Sequence, residues 1–338
     1  MADAVAGYKA VARLYNALMT GLVLTLISQK DAEAARKFMF AHFRRQHLEK
    51  FLPGLKKLGL DALPDAVACA QYHYFSNALG GVKTEYVRES DRKAWVRYPP
   101  PRWIWQGTAI CAIPRDVNEA MLHGWHGHNG VSLGNPRLGF VCTGQTPNGD
   151  PGLEGYYFEY DRDIAPNERV RFAPNEHMPR FDPAAAPKLD TANWPQERLR
   201  KVERSYAMEY VRSFLPVTQE LFGVDEAERL VAKTARLIGL QFYEDTASAL
   251  GIAGDSAEDF ARYLSALAAA QGEQVETRTS AVTQQGWRLM AGVALPDRDA
   301  AFRAWNALWE GALAAHNRFL RLKTERTGET IVWRIAPA

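Results

Sequence analysis

The sequence predicts an α+β fold that is present twice in tandem, each copy packing helices on a small antiparallel sheet. The first observation is an internal match: residues 55–97 align with 247–289, with Leu58-Gly59-Leu60 opposite Leu250-Gly251-Ile252 at a separation of 192 residues. The second is that helical apolar spacing gives way in both copies to alternating apolar and polar residues, which predicts strands. Because the repeat is far longer than a solenoid unit, it indicates two domains of one fold.

Further matched positions follow in the same order along both copies. They pair Gly81 with Gly272, Glu85 with Glu276, Trp95 with Trp287, Pro114 with Pro296 and Asn135 with Asn317. The first copy has about ten extra residues between its tryptophan and its proline. This ordered agreement predicts a tandem duplication, with domains at 1–162 and 198–338 that are joined by residues 163–197.

Each copy is expected to open with three helices. The first is the apolar segment LYNALMTGLVLTLIS (14–28), which corresponds to residues 203–221 in the second copy. A second helix follows directly, and a third covers 64–79 in one copy and 256–270 in the other. Glycine lies just beyond the third helix in both copies, where it commonly ends a helix.

Two hairpins and a helix complete each copy. Alternating residues in 82–98 and 274–292 predict the first hairpin, which contains a polar turn. Pro114 and Pro296 each begin a helix, because proline is tolerated in the first turn. RLGFVCTGQTPNGDPGLEGYYFEY (137–160) then predicts the closing hairpin of copy one, and copy two ends in the same way.

The connection between the copies, residues 163–197, holds six prolines and little periodicity. Prolines favour an extended path over the surface, and the segment is too long for an ordinary loop. Two interpretations stay open, a strap that covers part of the first domain's pocket and a plain linker.

Composition, charge and cysteine spacing limit the classes of partner and the compartment that we expect for this protein. Charged residues make up 24% of the chain, the net charge is +2, and no basic patch or nucleic-acid motif is present, so we expect no nucleic acid. Cys69, Cys111 and Cys142 are odd in number and widely spaced, which favours free thiols and a cytoplasmic protein. The segment 14–28 is too short to span a bilayer, so no membrane association is expected; its apolar face is a candidate homodimer surface.

The sharpest motif is HGWHGHNG (123–130), which contains His123, His126 and His128. Three imidazoles in six residues can bind zinc or iron if the backbone turns tightly, and Glu154 on the following hairpin can add a carboxylate. The alternative is a hydrogen-bonded loop that shapes a pocket without metal. Seven of the eight histidines precede residue 178, so this chemistry belongs to the first copy alone.

Other candidates also fall in the first copy. Cys142 lies on an expected strand near the histidines, and a neighbouring imidazole can activate such a thiol as a nucleophile; inert packing is the alternative. An aromatic and basic set can wall a pocket or stack on a planar ligand, or simply cap the core. Its members are Tyr98, Arg102, Trp103, Trp105 and Arg137. Glu85 is weaker, because Glu276 matches it in the copy without these histidines.

No dinucleotide, Walker, nucleophile-elbow or HExxH motif occurs in the sequence. We therefore expect an enzyme whose first copy transforms a small polar molecule, with His126 and His128 as acid/base groups or metal ligands and Cys142 as a further catalytic candidate. The second copy is then structural or dimerising. The rival hypothesis is a non-catalytic binding or accessory protein that holds a small-molecule ligand in the same pocket.

The order of helices, hairpin, helix and closing hairpin, with GDPGLEGYYFEYD and GWRLMAG, resembles the L-2-amino-thiazoline-4-carboxylic acid hydrolase-like family and related 4-vinyl-reductase-type small-molecule-binding domains. The resemblance covers most of the chain except the connection, and implies a pocket between helices and sheet and ring-opening hydrolysis of a small heterocycle. GWHGHNGVSLGN is also similar to bacterial proteins associated with demethylation of methylated amines, which implies a link to methylated-amine catabolism.

Overall fold

The computed structural model describes residues 2–100, 107–190 and 192–338. The chain forms two compact units. The first unit is Leu26–Gln196, and the second unit combines Met1–Thr25 with Glu197–Ala338. The first 25 residues thus pack with the second copy, whereas the sequence analysis placed them in a domain at 1–162.

The first unit packs helices on a mainly antiparallel sheet. After α1 (Ala2–Gln29), its helices and strands are α2 (Ala32–Leu58), α3 (Asp65–Leu79), β1 (Glu85–Arg88), β2 (Lys93–Tyr98), α4 (Arg115–Gly124), α5 (Asn129–Leu133), β3 (Leu138–Gly144), β4 (Leu153–Glu159) and β5 (Val170–Phe172). The sheet order is β1-β2-β4-β3-β5. Asp31 caps α2 by accepting from the Ala34 amide at 2.7 Å, and Gly59 ends it in the left-handed region.

The second unit repeats this topology. Its elements are α6 (Gln196–Phe222), α7 (Val224–Ala249), α8 (Ala257–Gln271), β6 (Gln274–Arg278), β7 (Ala281–Gln285), α9 (Arg298–His316), β8 (Leu320–Thr327) and β9 (Thr330–Pro337). Its sheet order, β6-β7-β9-β8, is that of β1-β2-β4-β3. The α+β fold with a tandem duplication is therefore confirmed.

One matched pair from the sequence, Trp95 with Trp287, is wrong at the level of structure. Trp95 lies within β2, opposite Val87 on one neighbouring strand and Tyr156 on the other. Trp287 lies beyond the end of β7, in the turn that leads to α9. The reason is the hairpin connection, which spans residues 89–92 in the first unit but only Thr279 and Ser280 in the second, so identical spacing does not give identical register.

Helix α1 is a core helix of the second unit. The Tyr15 hydroxyl donates to Gln271 Oε1 at 2.6 Å and accepts from the Trp305 indole at 3.1 Å. Residues Ala4–Gln29 are long and apolar enough to cross a membrane, but 67% of the most apolar window is buried inside the protein. Leu14, Leu18 and Leu22 are among the buried side chains, so the apolar face that the sequence offered for a homodimer is covered within the chain.

The proline-rich connection belongs to the first unit. Its strand β5 pairs in parallel with β3, placing Val170 opposite Phe140. Beyond it, Ala173 and Met178 pack on a cluster of Trp95, Val141 and Tyr156. The segment therefore covers one face of the sheet and extends its edge, rather than serving as a plain linker.

Candidate functional site

The histidine motif interrupts a helix that is continuous in the second unit. There, α9 runs unbroken from Arg298 to His316, whereas in the first unit α4 ends at Gly124 and α5 begins only at Asn129. A 3₁₀ turn, His126–His128, fills the gap. Gly124 packs against α2 so closely that a Cβ there would lie 2.6 Å from the Phe40 carbonyl oxygen. The interruption turns the His126 ring toward the sheet.

His126 reaches a buried tyrosine on β4. The Tyr157 hydroxyl lies 2.7 Å from His126 Nδ1 and accepts a hydrogen bond from Asn129 Nδ2 at 2.8 Å. Tyr157 and Asn129 have no exposed surface, and burial raises the pKa of Tyr157 well above its usual value. Tyr157 is therefore a neutral phenol, which can donate its hydrogen to Nδ1 when the imidazole proton is on Nε2.

A third helix adds a second imidazole to this pair. His73 on α3 stacks on His126, with ring centroids 4.2 Å apart and planes inclined by 11°. Burial, and then the charge of a protonated His47, lowers the pKa of His73 to about 3. Cys69 lies one turn earlier on the same face of α3, and burial raises the pKa of its thiol. Both side chains are uncharged at neutral pH.

Helix α2 adds a third histidine, His47, to this group of side chains. Arg44 NH1 lies 2.7 Å from His47 Nδ1, and since a guanidinium can only donate, that nitrogen is the acceptor and His47 carries its proton on Nε2. Burial, followed by the charge of Arg44, lowers the pKa of His47 to about 3. The Trp125 ring packs edge-on against both His47, at 5.6 Å, and His73, at 5.9 Å.

We name His47, His73, Trp125, His126, Asn129 and Tyr157 the histidine cluster. Among the residues that the structure describes, four of its buried polar atoms have no partner in hydrogen-bond geometry. They are His73 Nε2 and Trp125 Nε1, together with His47 Nε2 and Asn129 Oδ1, whose side chains are close enough for Asn129 to raise the pKa of His47 without meeting hydrogen-bond geometry. Leaving such an atom unsatisfied costs about 1–3 kcal/mol, and proteins rarely tolerate several together without a bound water or ligand. The cluster thus leaves buried hydrogen-bonding positions open for a water molecule or a polar ligand.

The metal site expected from the sequence does not form. Within residues 2–100, 107–190 and 192–338, no group of three or more His, Cys, Asp or Glu side chains could hold a metal ion. His128 Nδ1 bonds instead to the His123 carbonyl oxygen at 2.8 Å, and burial lowers the pKa of both rings. Glu154 lies three residues before Tyr157 on β4, which places it on the opposite face of the sheet from His126.

Glu154 belongs to a separate groove beneath the proline-rich segment. Arg97 lies between two carboxylates, 2.8 Å from Glu85 Oε2 and 3.5 Å from Glu154 Oε2. The Met178 amide donates to Glu154 at 3.0 Å. The groove encloses about 420 Å³. Glu85 thus takes part in an ion pair with Arg97.

The other candidates from the sequence are dispersed. Burial raises the pKa of Cys142 to about 12, and its thiol donates to the Gly144 carbonyl oxygen, so the surroundings favour packing over nucleophilic attack. Arg137 pairs with Glu159 at the surface. Tyr98 is buried on β2, on the face of the sheet that holds Tyr157. Arg102, Trp103 and Trp105 lie outside the described residues.

Of the six residues in the cluster, His126 alone was a candidate site residue from the sequence. Trp125 and Asn129 lie beside it in HGWHGHNG, whereas His47, His73 and Tyr157 stand outside that motif. A further signal is that seven of the eight histidines precede residue 178. No protein-family model, curated protein or solved structure matches this chain, so the geometry alone carries the functional argument.

Proposed function

We propose that the first unit binds a small, uncharged polar molecule at the histidine cluster and that this binding is its primary function. The observation that carries the proposal is the set of four buried polar atoms that lack a partner in hydrogen-bond geometry among the described residues. His47 and Trp125 offer N–H donors, and Asn129 offers a carbonyl acceptor. His73 Nε2 serves as either, depending on its tautomer.

The ionisation states favour binding over acid–base catalysis. A general base works best with a pKa near the working pH, and His47 and His73 have pKa values of about 3. The Cys142 pKa of about 12 likewise disfavours a thiolate. Neutral imidazoles among aromatic rings suit hydrogen bonding to a neutral ligand, because a charged ligand would be desolvated there without a counter-ion.

Native mass spectrometry of the intact chain tests this proposal. Protein transferred gently from the cell extract should carry one small molecule per chain, and His73→Phe should lose it. His177→Phe is the matched control, since His177 is exposed on the proline-rich segment. Wild-type protein without additional mass, or a ligand that survives His73→Phe, would contradict a binding site at the cluster.

A second candidate function is hydrolysis of a small heterocycle, which the family resemblance implies. The specific observation in its favour is the 2.7 Å contact between Tyr157 and His126, an arrangement through which a phenol and an imidazole exchange a proton. Disappearance of L-2-amino-thiazoline-4-carboxylate, followed by chromatography, is the assay. Turnover by wild type that is lost in Tyr157→Phe would support an enzyme; equal loss of substrate in both would reject it.

Location and assembly complete the proposal. Cys69, Cys111 and Cys142 are free thiols, which fits a reducing compartment, so we propose a cytoplasmic protein. The homodimer stays a prediction that light scattering after gel filtration would check. A link to methylated-amine catabolism rests on the resemblance of GWHGHNGVSLGN alone and makes a small amine-derived molecule the first ligand to try.

A further inference from the structure

The second unit contains a cavity of its own at the end of helix α8. It encloses about 480 Å³, within the range of small-molecule sites. Its walls are the Tyr8 ring on α1, one face of α6, and the residues around Gly272 where α8 ends. The residues that line it include four cations and one carboxylate, Glu209. The cavity is thus strongly basic in a chain of nearly neutral net charge.

The cations come from two directions. Lys201, Arg204 and Arg212 lie on one face of α6, and Arg288 reaches in from the turn after β7. Arg204 and Arg288 each donate to a carbonyl at the C-terminus of α8, that of Ala270 at 2.7 Å and that of Gly272 at 3.4 Å. These bonds hold the two guanidinium groups in place. Each guanidinium has further N–H groups that can donate to a ligand.

Arg204 is the most constrained of the four. Its guanidinium lies over the Tyr8 ring at 4.9 Å, and its Nε is buried without a hydrogen-bond partner in the described parts of the chain. Burial lowers its pKa, and the charge of Arg288 adds to the shift. Crowding two guanidinium groups is unfavourable, and an oxyanion bound in the cavity would reduce that cost.

We propose that this cavity is a binding site for a small molecule that carries a phosphate or pyrophosphate group. Guanidinium groups bind phosphate through paired N–H bonds, and Arg204 and Arg288 approach the cavity from different elements, so they can bind different oxygens of one group. Tyr8 supplies an apolar wall for the rest of the ligand. The second unit then has a ligand of its own, independent of the one proposed for the histidine cluster.

Isothermal titration of the full chain with inorganic pyrophosphate tests this site. We expect saturable binding at one site per chain that weakens as sodium chloride rises from 50 to about 200 mM, because charge pairing is screened. Arg288→Gln should weaken binding at least tenfold, and its exposed side chain makes the substitution tolerable for folding. Arg321→Gln, which removes an exposed arginine from β8, is the matched control and should bind like wild type.

Absence of binding to the wild-type protein would overturn the proposal, and so would equal weakening in Arg288→Gln and Arg321→Gln. Lys201→Gln is the second test of the site. If Arg288→Gln loses binding together with a lower melting temperature while Lys201→Gln binds like wild type, the loss reflects unfolding and the proposal is overturned.

A second experiment tests whether the phosphate group belongs to a lipid. The protein is sedimented with phosphatidylcholine vesicles that contain phosphatidic acid. Binding to those vesicles without binding of pyrophosphate would overturn the assignment to a soluble ligand. His73→Phe should leave pyrophosphate binding unchanged, which separates this site from the histidine cluster.

Discussion

The two units share one topology but place different residues between the equivalent helices, α2 and α4 in the first unit and α7 and α9 in the second. In the second unit α7 and α9 touch backbone to backbone, since a Cβ added at Gly239 would lie 2.0 Å from the Leu308 carbonyl oxygen, and one at Gly311 would lie 2.0 Å from that of Arg236. At the repeat separation of 192 residues, Gly239 corresponds to His47. One scaffold thus accommodates either close helix packing or a polar aromatic cluster.

The remaining equivalent positions follow the same pattern. At that separation, Cys69 corresponds to Ala261 and His73 to Ser265. Across the sheet, the pair Phe140 and Tyr157 corresponds to Leu322 and Ile335, because Asn135 and Asn317 each precede their strand by the same distance. Small and aliphatic residues replace every polar ring. The comparison teaches that the cluster is an addition to the fold rather than a requirement of it.

The largest expected effect comes from giving the second unit the first unit's residue. Gly239→His has to separate α7 from α9, so we expect a loss of more than about 3 kcal/mol in the free energy of unfolding, or no folded protein. Ser248→His, at an exposed position on the same helix, should change it by less than about 0.5 kcal/mol. Urea unfolding followed by circular dichroism measures both, and a stable Gly239→His protein would refute the close helix contact.

Removing one hydroxyl from the cluster should have the next largest effect. Tyr157→Phe leaves His126 Nδ1 and Asn129 Nδ2 without their bond, which we expect to cost about 1–3 kcal/mol. Tyr160→Phe removes a hydroxyl with only a 3.5 Å contact to Arg171 and should be nearly neutral. Equal melting temperatures for the two variants would show that the buried bonds contribute nothing measurable.

Acid should destabilise the protein through the cluster. The pKa values of His47 and His73 are about 3 in the folded state against 6.5 ordinarily, so the unfolded chain binds more protons at pH values between these limits. Stability is therefore complete above about pH 6.5 and falls as pH drops toward 3, by about 1.4 kcal/mol per pH unit and histidine. His73→Ser, the residue of the second unit, should reduce this slope by one proton in urea titrations at pH 7, 6 and 5. An unchanged slope would mean that His73 is not buried as a neutral ring.

The smallest expected effect concerns the thiols. Cys142 and Cys69 are buried with raised pKa values, whereas Cys111 is exposed. A maleimide reagent should therefore modify Cys111 first and the other two slowly, as mass spectrometry of the labelled peptides would show. Rapid labelling of Cys142 would restore the nucleophile hypothesis.

The sequence predicted the duplication and the order of elements well, because glycine and proline positions and alternating residues act locally. Gly272 ends α8 in the left-handed region, as its placement after the third predicted helix indicates. The cluster was out of reach, since His47, His73 and Tyr157 are far apart in the chain and meet only through tertiary packing. The match of Trp95 with Trp287 failed for a related reason, since the two hairpins have connections of different length and therefore different registers.

Helix α1 has a consequence for how the chain acquires its structure during synthesis. Its partners lie far downstream, with Tyr15 separated by 256 residues from Gln271 and by 290 from Trp305. Residues 26–196 can complete their own contacts as soon as they leave the ribosome. The partners of the apolar face of α1 are synthesised only when nearly the whole remaining chain has been made. The apolar face of α1 therefore lacks its partners in the second unit until α8 and α9 have been synthesised, and transiently exposed apolar surface of this kind favours aggregation.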